Sequence, residues 1–306
     1  MTSATTRAPD ETSGQERSRV RSQPPSSSRI SALWTLYLLT LRQHLHGRRW
    51  LIMGVLFLFP PGLATFVRFT APDVPPIGLE FMLAMMFIPQ ALLPLVALLY
   101  ASGIIQDEQE EQTITYLLMR PISKWALYAV KLAATLTTTI VLTSLFTVVT
   151  FVAIYAGTDM SDTNIPLRCF KVASIHSLAV VAYCSLFGLI SLLTKRTLVA
   201  GILYTAVVEG LLANLPFGIR LVAVIYYTRV IAYRMLEFMV PMPGRGKIDV
   251  AADAWQIDLV NDPKLLEHPQ LRTCFMVLLI GSLVCTIIAG FLCAWREFHV
   301  KTPEKE

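Results

Sequence analysis

Six long apolar segments constrain the fold of this chain more than any other feature. They fall at residues 50–69, 81–105, 125–155, 172–193, 198–215 and 273–295. A helix needs about 20 apolar residues to cross a hydrocarbon layer about 30 Å thick. In lipid, only helices and closed barrels satisfy every backbone amide and carbonyl. Residues 50–295 are therefore predicted to form an all-α transmembrane domain of six helices.

Composition supports a membrane protein and argues against two other classes of protein. Of the 306 residues, 54% are apolar and 15% are charged, whereas about 25% of the residues of a soluble domain are charged. The net charge is +5, but Lys and Arg cluster at the ends of apolar segments and do not form one stripe, so the bilayer is predicted as a partner and nucleic acid is not. The five cysteines show no C-x-x-C spacing, so no metal site is predicted.

The amino-terminal region divides into two predicted parts. Residues 1–28 are rich in Ser, Thr, Pro and Arg and contain no apolar segment, which is typical of a disordered tail. Residues 29–49 contain apolar side chains at helical spacing, namely Ile30, Leu33, Trp34, Tyr37, Leu38, Leu41 and Leu45. We expect this second part to be an amphipathic helix in the headgroup plane. His44 and His46 are interpreted as interfacial residues and not as a metal pair.

Charged residues are dense between the second and third apolar segments. Asp107, Glu108, Glu110 and Glu111 follow directly on the apolar residue Ile105. A charged residue costs about 2.5–3.5 kcal/mol at the centre of a membrane helix. The membrane is therefore predicted to end near Ile105.

A short amphipathic helix is predicted inside this loop. If residues 113–119 are helical, Ile114, Leu117 and Leu118 share one face, which can lie along a surface or dock into a groove. Pro121 ends that helix, and Ser123 is a candidate N-cap for the next one. The plain alternative is a solvated loop between two membrane helices.

The loop resembles the cytoplasmic loop of ABC-2 type membrane permeases. The shared pattern is carried here by Glu108, Glu111, Gln112-Thr113, Leu117-Leu118, Pro121, Ser123-Lys124 and Lys131. The chain departs from the family at Gln112, where the family often has Gly. The order of membrane segments extends the resemblance over residues 30–300.

The resemblance implies partners and a coupling site. In the family, this loop presses against a separate cytoplasmic ABC ATPase subunit, which binds the ATP. The implied coupling element is the loop 106–124, with the residues Glu108, Glu110, Glu111, Thr113, Ile114, Leu117, Leu118, Pro121 and Lys124. A second permease subunit, identical or different, is also implied, so the expected assembly is a dimer of permeases with two ATPases.

Prolines and one acid inside the predicted membrane helices are candidates for a transport path. Pro60 and Pro61 interrupt the first helix, and Pro89 and Pro94 interrupt the second. They either border a path or simply kink the helices. Glu209 lies inside the fifth segment. It either faces the interior of the bundle as a functional residue or lies near the outer interface because the helix ends sooner.

Charge distribution predicts the orientation. Lys and Arg are more numerous in the segments that lie inside if the amino terminus is cytoplasmic. Six crossings then return residues 296–306 to the cytoplasm, in the inner membrane of the cell. Residues 216–271 form an extracytoplasmic excursion with re-entrant or surface helices. A competing interpretation makes residues 217–240 a seventh crossing, and a disulfide between Cys169 and Cys274 is a further hypothesis.

The absence of catalytic motifs favours a transport subunit over an enzyme. The sequence contains no G-x-x-x-x-G-K-[ST], no G-x-S-x-G and no H-E-x-x-H, so no catalytic residue and no cofactor are predicted in this chain. The predicted function is that of an exporter permease working by alternating access, with lipids, drugs, peptides and polysaccharides all open as substrates. The alternative is a membrane scaffold or assembly factor that moves no substrate.

Overall fold

The computed structural model describes residues 27–46, 48–110, 123–158, 164–215, 218–242, 246–255 and 269–295. The α-helices are α1 (Ser27–His46), α2 (Arg48–Phe57), α3 (Phe59–Thr70), α4 (Pro76–Leu79), α5 (Leu93–Glu110), α6 (Lys124–Tyr155), α7 (Asn164–Leu193), α8 (Thr197–Tyr204), α9 (Val224–Met235), α10 (Val250–Trp255) and α11 (Leu271–Trp295). Two π-helices, Glu80–Leu92 and Thr205–Leu211, and two 3₁₀-helices, Leu212–Asn214 and Gly218–Val222, continue or connect them. Strands β1 (Met239–Met242) and β2 (Gly246–Asp249) form an antiparallel hairpin.

Within the described residues, six helical stretches are long and apolar enough to cross a membrane. Spans 1 to 6 are Arg49–Thr70, Pro76–Ile104, Lys124–Tyr155, Asn164–Leu193, Thr197–Asn214 and Leu271–Trp295. The predicted fold, an all-α membrane protein with six helices preceded by an amphipathic helix, is confirmed.

Spans 2 and 4 begin earlier than the predicted starts at residues 81 and 172. Span 2 begins at Pro76 and span 4 at Asn164, and a proline in the first turn is compatible with a helix start because its missing N–H is not needed there. The added turns contain Glu80 and Arg168, which form an ion pair. The apolar pattern placed the predicted starts of these two spans after Glu80 and Arg168, because hydropathy scores each charge separately and takes no account of an ion pair.

Span 1 continues through its two prolines. Pro60 and Pro61 occupy the first turn of α3, and Leu58 before them keeps right-handed helical angles of φ −73° and ψ −14°. The Gly62 amide donates to the Leu58 carbonyl at 3.0 Å. The backbone hydrogen bonds of the helix therefore resume directly after the two prolines.

Contacts between the ends of the spans define the two faces of the bundle. Lys131 Nζ donates to the Ile104 carbonyl (3.1 Å) and Cys293 Sγ to the Lys124 carbonyl (3.6 Å). The end of span 2, the start of span 3 and the end of span 6 therefore share one face, called the loop side because residues 106–123 leave from it. The β-hairpin lies at the opposite face, the hairpin side.

Helix α1 packs along span 3 at the loop side. Tyr37 Oη donates to Thr137 Oγ1 at 3.0 Å, and the His44 ring lies edge-on to Tyr100. Large apolar side chains such as Trp34 remain exposed, as an interfacial helix requires. His44 bonds Thr135 whereas His46 bonds its own helix at Arg42, so the two histidines do not face a common ligand.

Helix α9 is too short to cross the membrane. Its 12 residues span about 18 Å, against about 30 Å of hydrocarbon. It packs against spans 4 and 6 with Ile225, Val230 and Ile231 buried. The alternative of a seventh crossing at 217–240 is therefore wrong, and α9 is a helix inserted into the bundle from the hairpin side.

Candidate functional site

The predicted coupling element is only partly described. Glu108 and Glu110 lie in the last turns of α5, and Lys124 is the first residue of α6. The remaining predicted coupling residues, Glu111, Thr113, Ile114, Leu117, Leu118 and Pro121, lie outside the described residues. Ser123 Oγ accepts a hydrogen bond from the Ala126 amide, which confirms the predicted N-cap.

The two helices that flank the loop are linked to each other at the loop side of the bundle. Lys131 is buried and bonds the Ile104 carbonyl. From that level, α5 continues to Glu110 and α6 begins at Lys124, each a further ~9–10 Å along its axis. Lys131, the downstream lysine of the permease-like pattern, thus ties together the helices on both sides of the loop.

Glu209 lies inside the bundle and caps α9. Its side chain is 1% exposed. The carboxylate accepts hydrogen bonds from the Val224 amide (3.0 Å), the Ile225 amide (2.9 Å) and the Tyr204 hydroxyl (2.9 Å). A negative charge at a helix N-terminus is stabilising because the first amides have no partner in the helix.

The other end of α9 has a matching positive charge. Lys171 Nζ, from span 4, donates to the Met235 carbonyl at 3.1 Å. A cation at a helix C-terminus is favoured by the helix dipole. Spans 4 and 5 therefore hold α9 at both ends with charges of the stabilising sign.

Arg229 occupies the middle of this arrangement. Its side chain is 8% exposed, and its guanidinium donates to Asn214 Oδ1 (2.9 Å) and Gln90 Oε1 (3.3 Å). Burial lowers the pKa of Arg229, an effect that Tyr183 and Glu209 oppose. The group stays charged because the guanidinium of arginine is not deprotonated in proteins.

The residues Gln90, Tyr204, Glu209, Asn214 and Arg229 are called the α9 site. Gln90 lies in the first π-helix and Glu209 in the second. π-Helical turns occur frequently at functional sites. The α9 site therefore joins two irregular membrane spans through one inserted helix.

A second buried cluster, at the hairpin side, ties spans 2, 3 and 4 together. Glu80 is fully buried, and Arg168 donates to its carboxylate from Nη2 (2.9 Å) and Nε (3.2 Å). Tyr155 Oη donates to the same carboxylate at 2.5 Å, and Arg168 Nη1 reaches the Glu237 carbonyl at 3.1 Å. This ion pair therefore also anchors the segment that follows α9.

His176 supports the π-helix that contains Pro89. In a π-helix each amide bonds the carbonyl five residues earlier, and Pro89 has no N–H to offer to Ala84. His176 Nε2, from span 4, donates to the Ala84 carbonyl at 2.9 Å, and Nδ1 contacts Thr147 Oγ1 at 2.9 Å. The carbonyl freed by the proline is thus satisfied by a neighbouring span.

The predicted path residues do not all lie together. Pro89 adjoins Gln90 of the α9 site, to which Glu209 belongs. Pro60 and Pro61 are buried in span 1, and Pro94 is the second residue of α5. Their role in a transport path stays a prediction.

Besides most of the α9 site, sequence reasoning missed four residues that the structure places in buried or half-buried polar contacts. They are Glu80, Arg168, Lys171 and His176. The available signal was an ionisable residue inside or beside an apolar segment, which marks a functional or paired position by default. Cys169 and Cys274 are both free thiols, so the structure does not pair them. Among the described residues, no group of three or more His, Cys, Asp or Glu side chains could hold a metal.

A protein-family model matches just over half of the chain. A family model described as ABC-2 family transporter protein matches residues 45–210. The matched region contains the first four spans, the loop 106–124 and Glu209. No curated protein sequence matches the chain.

Proposed function

Since the chain belongs to the ABC-2 transporter family, we propose that it is the permease subunit of an ATP-driven exporter, powered by a separate ATPase. Family and fold together make it a multi-pass membrane component of an ABC-type transporter. The proposal adds the direction of transport, the partner subunits and the mechanism.

The link between α5 and α6, the two helices on either side of the loop, is the observation that carries the proposal. An ATPase that pushes on residues 106–124 pushes on both helices at once, because Lys131 links α6 to the end of span 2. Span 2 is largely buried, and it contains Gln90 of the α9 site. A displacement at the loop therefore has a direct route to the centre of the bundle.

The proposed mechanism is alternating access by rigid-body movement. Closure of two ATPase subunits around ATP presses on the loops of two permease subunits, identical or different, and spans 2 and 3 move against the other spans. Glu209, Pro60, Pro61, Pro89 and Pro94 are proposed to border the path that opens. The loop side is proposed to be cytoplasmic, with both chain termini there and the hairpin outside the inner membrane.

The coupling residues have different proposed tasks. Ile114, Leu117 and Leu118 enter a groove on the ATPase, whereas Glu108, Glu110 and Glu111 meet basic residues at its rim. Thr113, Pro121 and Lys124 shape the ends of the element. Buried apolar anchors at interfaces cost about 2 kcal/mol or more when they are truncated, whereas rim charges mainly affect the rate of association.

The experiment compares the two sets of residues. Leu117→Ala with Leu118→Ala is expected to leave insertion intact but to abolish both co-purification of the ATPase and substrate-stimulated ATP hydrolysis. Leu279→Ala with Leu283→Ala is the matched control, since both leucines are exposed on span 6, away from its loop-side end. Glu110→Gln with Glu111→Gln should weaken the complex mildly and reduce its dependence on salt.

Two outcomes contradict the proposal. Full ATPase association in the Leu117 and Leu118 double variant would remove the coupling role from the loop. If no ATPase co-purifies with the unmodified chain, the scaffold or assembly-factor alternative becomes the better assignment.

A further inference from the structure

A polar cavity enters the bundle at the hairpin side, between the ends of spans 3 and 4 and the segment that follows α9. Its volume is about 730 Å³, which is in the range of small-molecule sites. Three exposed residues, Thr158, Asn164 and Glu237, line its mouth, whereas the half-buried Arg168 and Lys171 line it further in. A solute on the hairpin side can therefore reach both cations.

Span 4 presents its polar side chains to this cavity on one face. Asn164, Arg168 and Lys171 recur at positions i, i+4 and i+7, so they share one side of the helix. Lys171 is seven residues from Asn164, the first residue of the span, which corresponds to about 10 Å along the axis. An ammonium group inside a membrane span is costly unless it faces a water-filled cavity or a partner, and it marks a functional site by default.

Lys171 supplies a positive charge that the surrounding contacts do not balance. Arg168 is neutralised by Glu80, which is fully buried and is not among the lining residues. Lys171 bonds the Met235 carbonyl, which is neutral, and forms no ion pair among the described residues. That bond uses one of its three N–H donors, and the bonds of Arg168 use three of its five. Within the described lining, Glu237 alone is acidic, and it lies at the exposed mouth.

We propose that this cavity binds a small solute with a carboxylate or phosphate group, whose oxygens accept hydrogen bonds from Lys171 and Arg168. Charge-assisted bonds of this kind are stronger than bonds between neutral groups. Both cations also bond backbone carbonyls at or after the end of α9, at Met235 and Glu237, so the bound anion adjoins the helix that spans 4 and 5 hold. The inference depends on the membrane fold and not on the proposed export.

Isothermal titration calorimetry of the purified full chain in detergent tests the proposal. The probes are sodium phosphate, sodium succinate and tetramethylammonium chloride, at constant ionic strength. We expect phosphate, succinate or both to bind saturably, with one anion per chain, and the organic cation not to bind. Saturable binding of neither anion, or equal binding of the cation, would overturn the proposal. Binding of dioleoylphosphatidylglycerol with neither soluble anion bound would overturn it as well, because the phosphate would then come from a lipid.

Charge variants identify the groups that hold the anion. Lys171→Gln should weaken binding about tenfold or more, because it removes a charged hydrogen-bond donor. Lys171→Arg keeps the charge and should retain binding, and Lys195→Gln, at the loop side, should leave it unchanged. Full affinity in Lys171→Gln would contradict the site.

Glu237→Gln gives a result of the opposite sign and preserves the backbone carbonyl that Arg168 bonds. It removes a negative charge at the mouth, so the anion should bind more tightly at low ionic strength. Unchanged or weaker binding in this variant would contradict the position of the anion.

Steric variants on the two faces of span 4 supply an independent readout. Leu167 is 53% exposed and lines the polar cavity, so Leu167→Trp should narrow it and weaken binding. Phe170 is 70% exposed and lines a separate apolar groove, so Phe170→Trp is the matched control. Equal affinity in the two variants would show that the anion binds elsewhere.

Discussion

Glu80 shows how this bundle accommodates a charge that hydropathy alone would exclude. The carboxylate is fully buried, yet Arg168 and Tyr155 provide it with donors in a geometry that fills both oxygens. A buried ion pair adds little net stability, but removal of one partner leaves a charge without solvent or counter-ion. Removing one partner should therefore reduce the free energy of unfolding more than replacing both partners with neutral residues.

The first prediction concerns Arg168→Ala. The variant leaves Glu80 buried and unpaired, so we expect a loss of about 3–5 kcal/mol in the free energy of unfolding. Thermal unfolding of the purified protein in detergent measures it. Replacement of both partners, Glu80→Gln with Arg168→Gln, should cost less than Arg168→Ala alone. The interpretation fails if the double variant is the less stable of the two, or if Arg272→Ala at an exposed position is equally destabilising.

The second prediction concerns the cap on α9. Glu209→Gln removes the negative charge that accepts the Val224 and Ile225 amides, and a hydrogen bond to a charged group contributes about 1.5–3 kcal/mol. Hydrogen exchange at the first turn of α9 should therefore become about tenfold faster or more. Asp253→Asn, on the exposed surface of α10, is the control. Unchanged exchange in α9 would show that Glu209 does not hold it.

At the scale of elements, the π-helix of span 2 marks where sequence reasoning reached its limit. Pro89 predicts an interruption of the helix, and one is present. The wider π-helical turn itself was not predictable, because its freed Ala84 carbonyl is satisfied by His176 from another span. Local sequence specifies that a carbonyl is released, whereas only the packed bundle specifies which residue bonds it.

Close helix packing leads to the third prediction. A Cβ atom at Gly188 in span 4 would lie 2.6 Å from the hydroxyl oxygen of Tyr128, and that tyrosine is 1% exposed, so its ring has little room to move. Gly188→Ala should therefore cost about 1–3 kcal/mol. Gly281→Ala is the matched control because no atom lies within 4 Å of its Cβ position.

A double variant tests the cause of that loss. The Tyr128 hydroxyl has no hydrogen-bond partner among the described residues, so Tyr128→Phe should be neutral or stabilising. Combined with Gly188→Ala, it removes the clashing oxygen and should restore most of the lost stability in the same thermal assay. If the double variant is no more stable than Gly188→Ala alone, the contact with the Tyr128 hydroxyl is not the cause of the loss.

For the whole molecule, the sequence predicted the number and order of the membrane helices better than the site. Apolar length is a property of each segment alone, which is why six spans and the interfacial helix were found. The α9 site joins residues from the second and fifth spans and the excursion after them, such as Gln90, Glu209 and Arg229. No spacing pattern in the sequence indicates that these residues lie together, and only the folded bundle shows it. Glu209 was recognised because a lone acid within an apolar segment is costly.

Orientation is the last prediction, and it involves the whole chain. Alternating spans place Lys195, between spans 4 and 5, at the loop side and Asp253, on α10, at the hairpin side. Both are exposed. Because the positive-inside rule puts the loop side in the cytoplasm, Asp253→Cys should react with a membrane-impermeant maleimide added to intact cells, whereas Lys195→Cys should react only after the cells are permeabilised. The unmodified chain, whose five cysteines are buried or partly buried, sets the background. Reaction of Lys195→Cys in intact cells with protection of Asp253→Cys would invert the orientation and would place the loop 106–124 out of reach of any cytoplasmic ATPase.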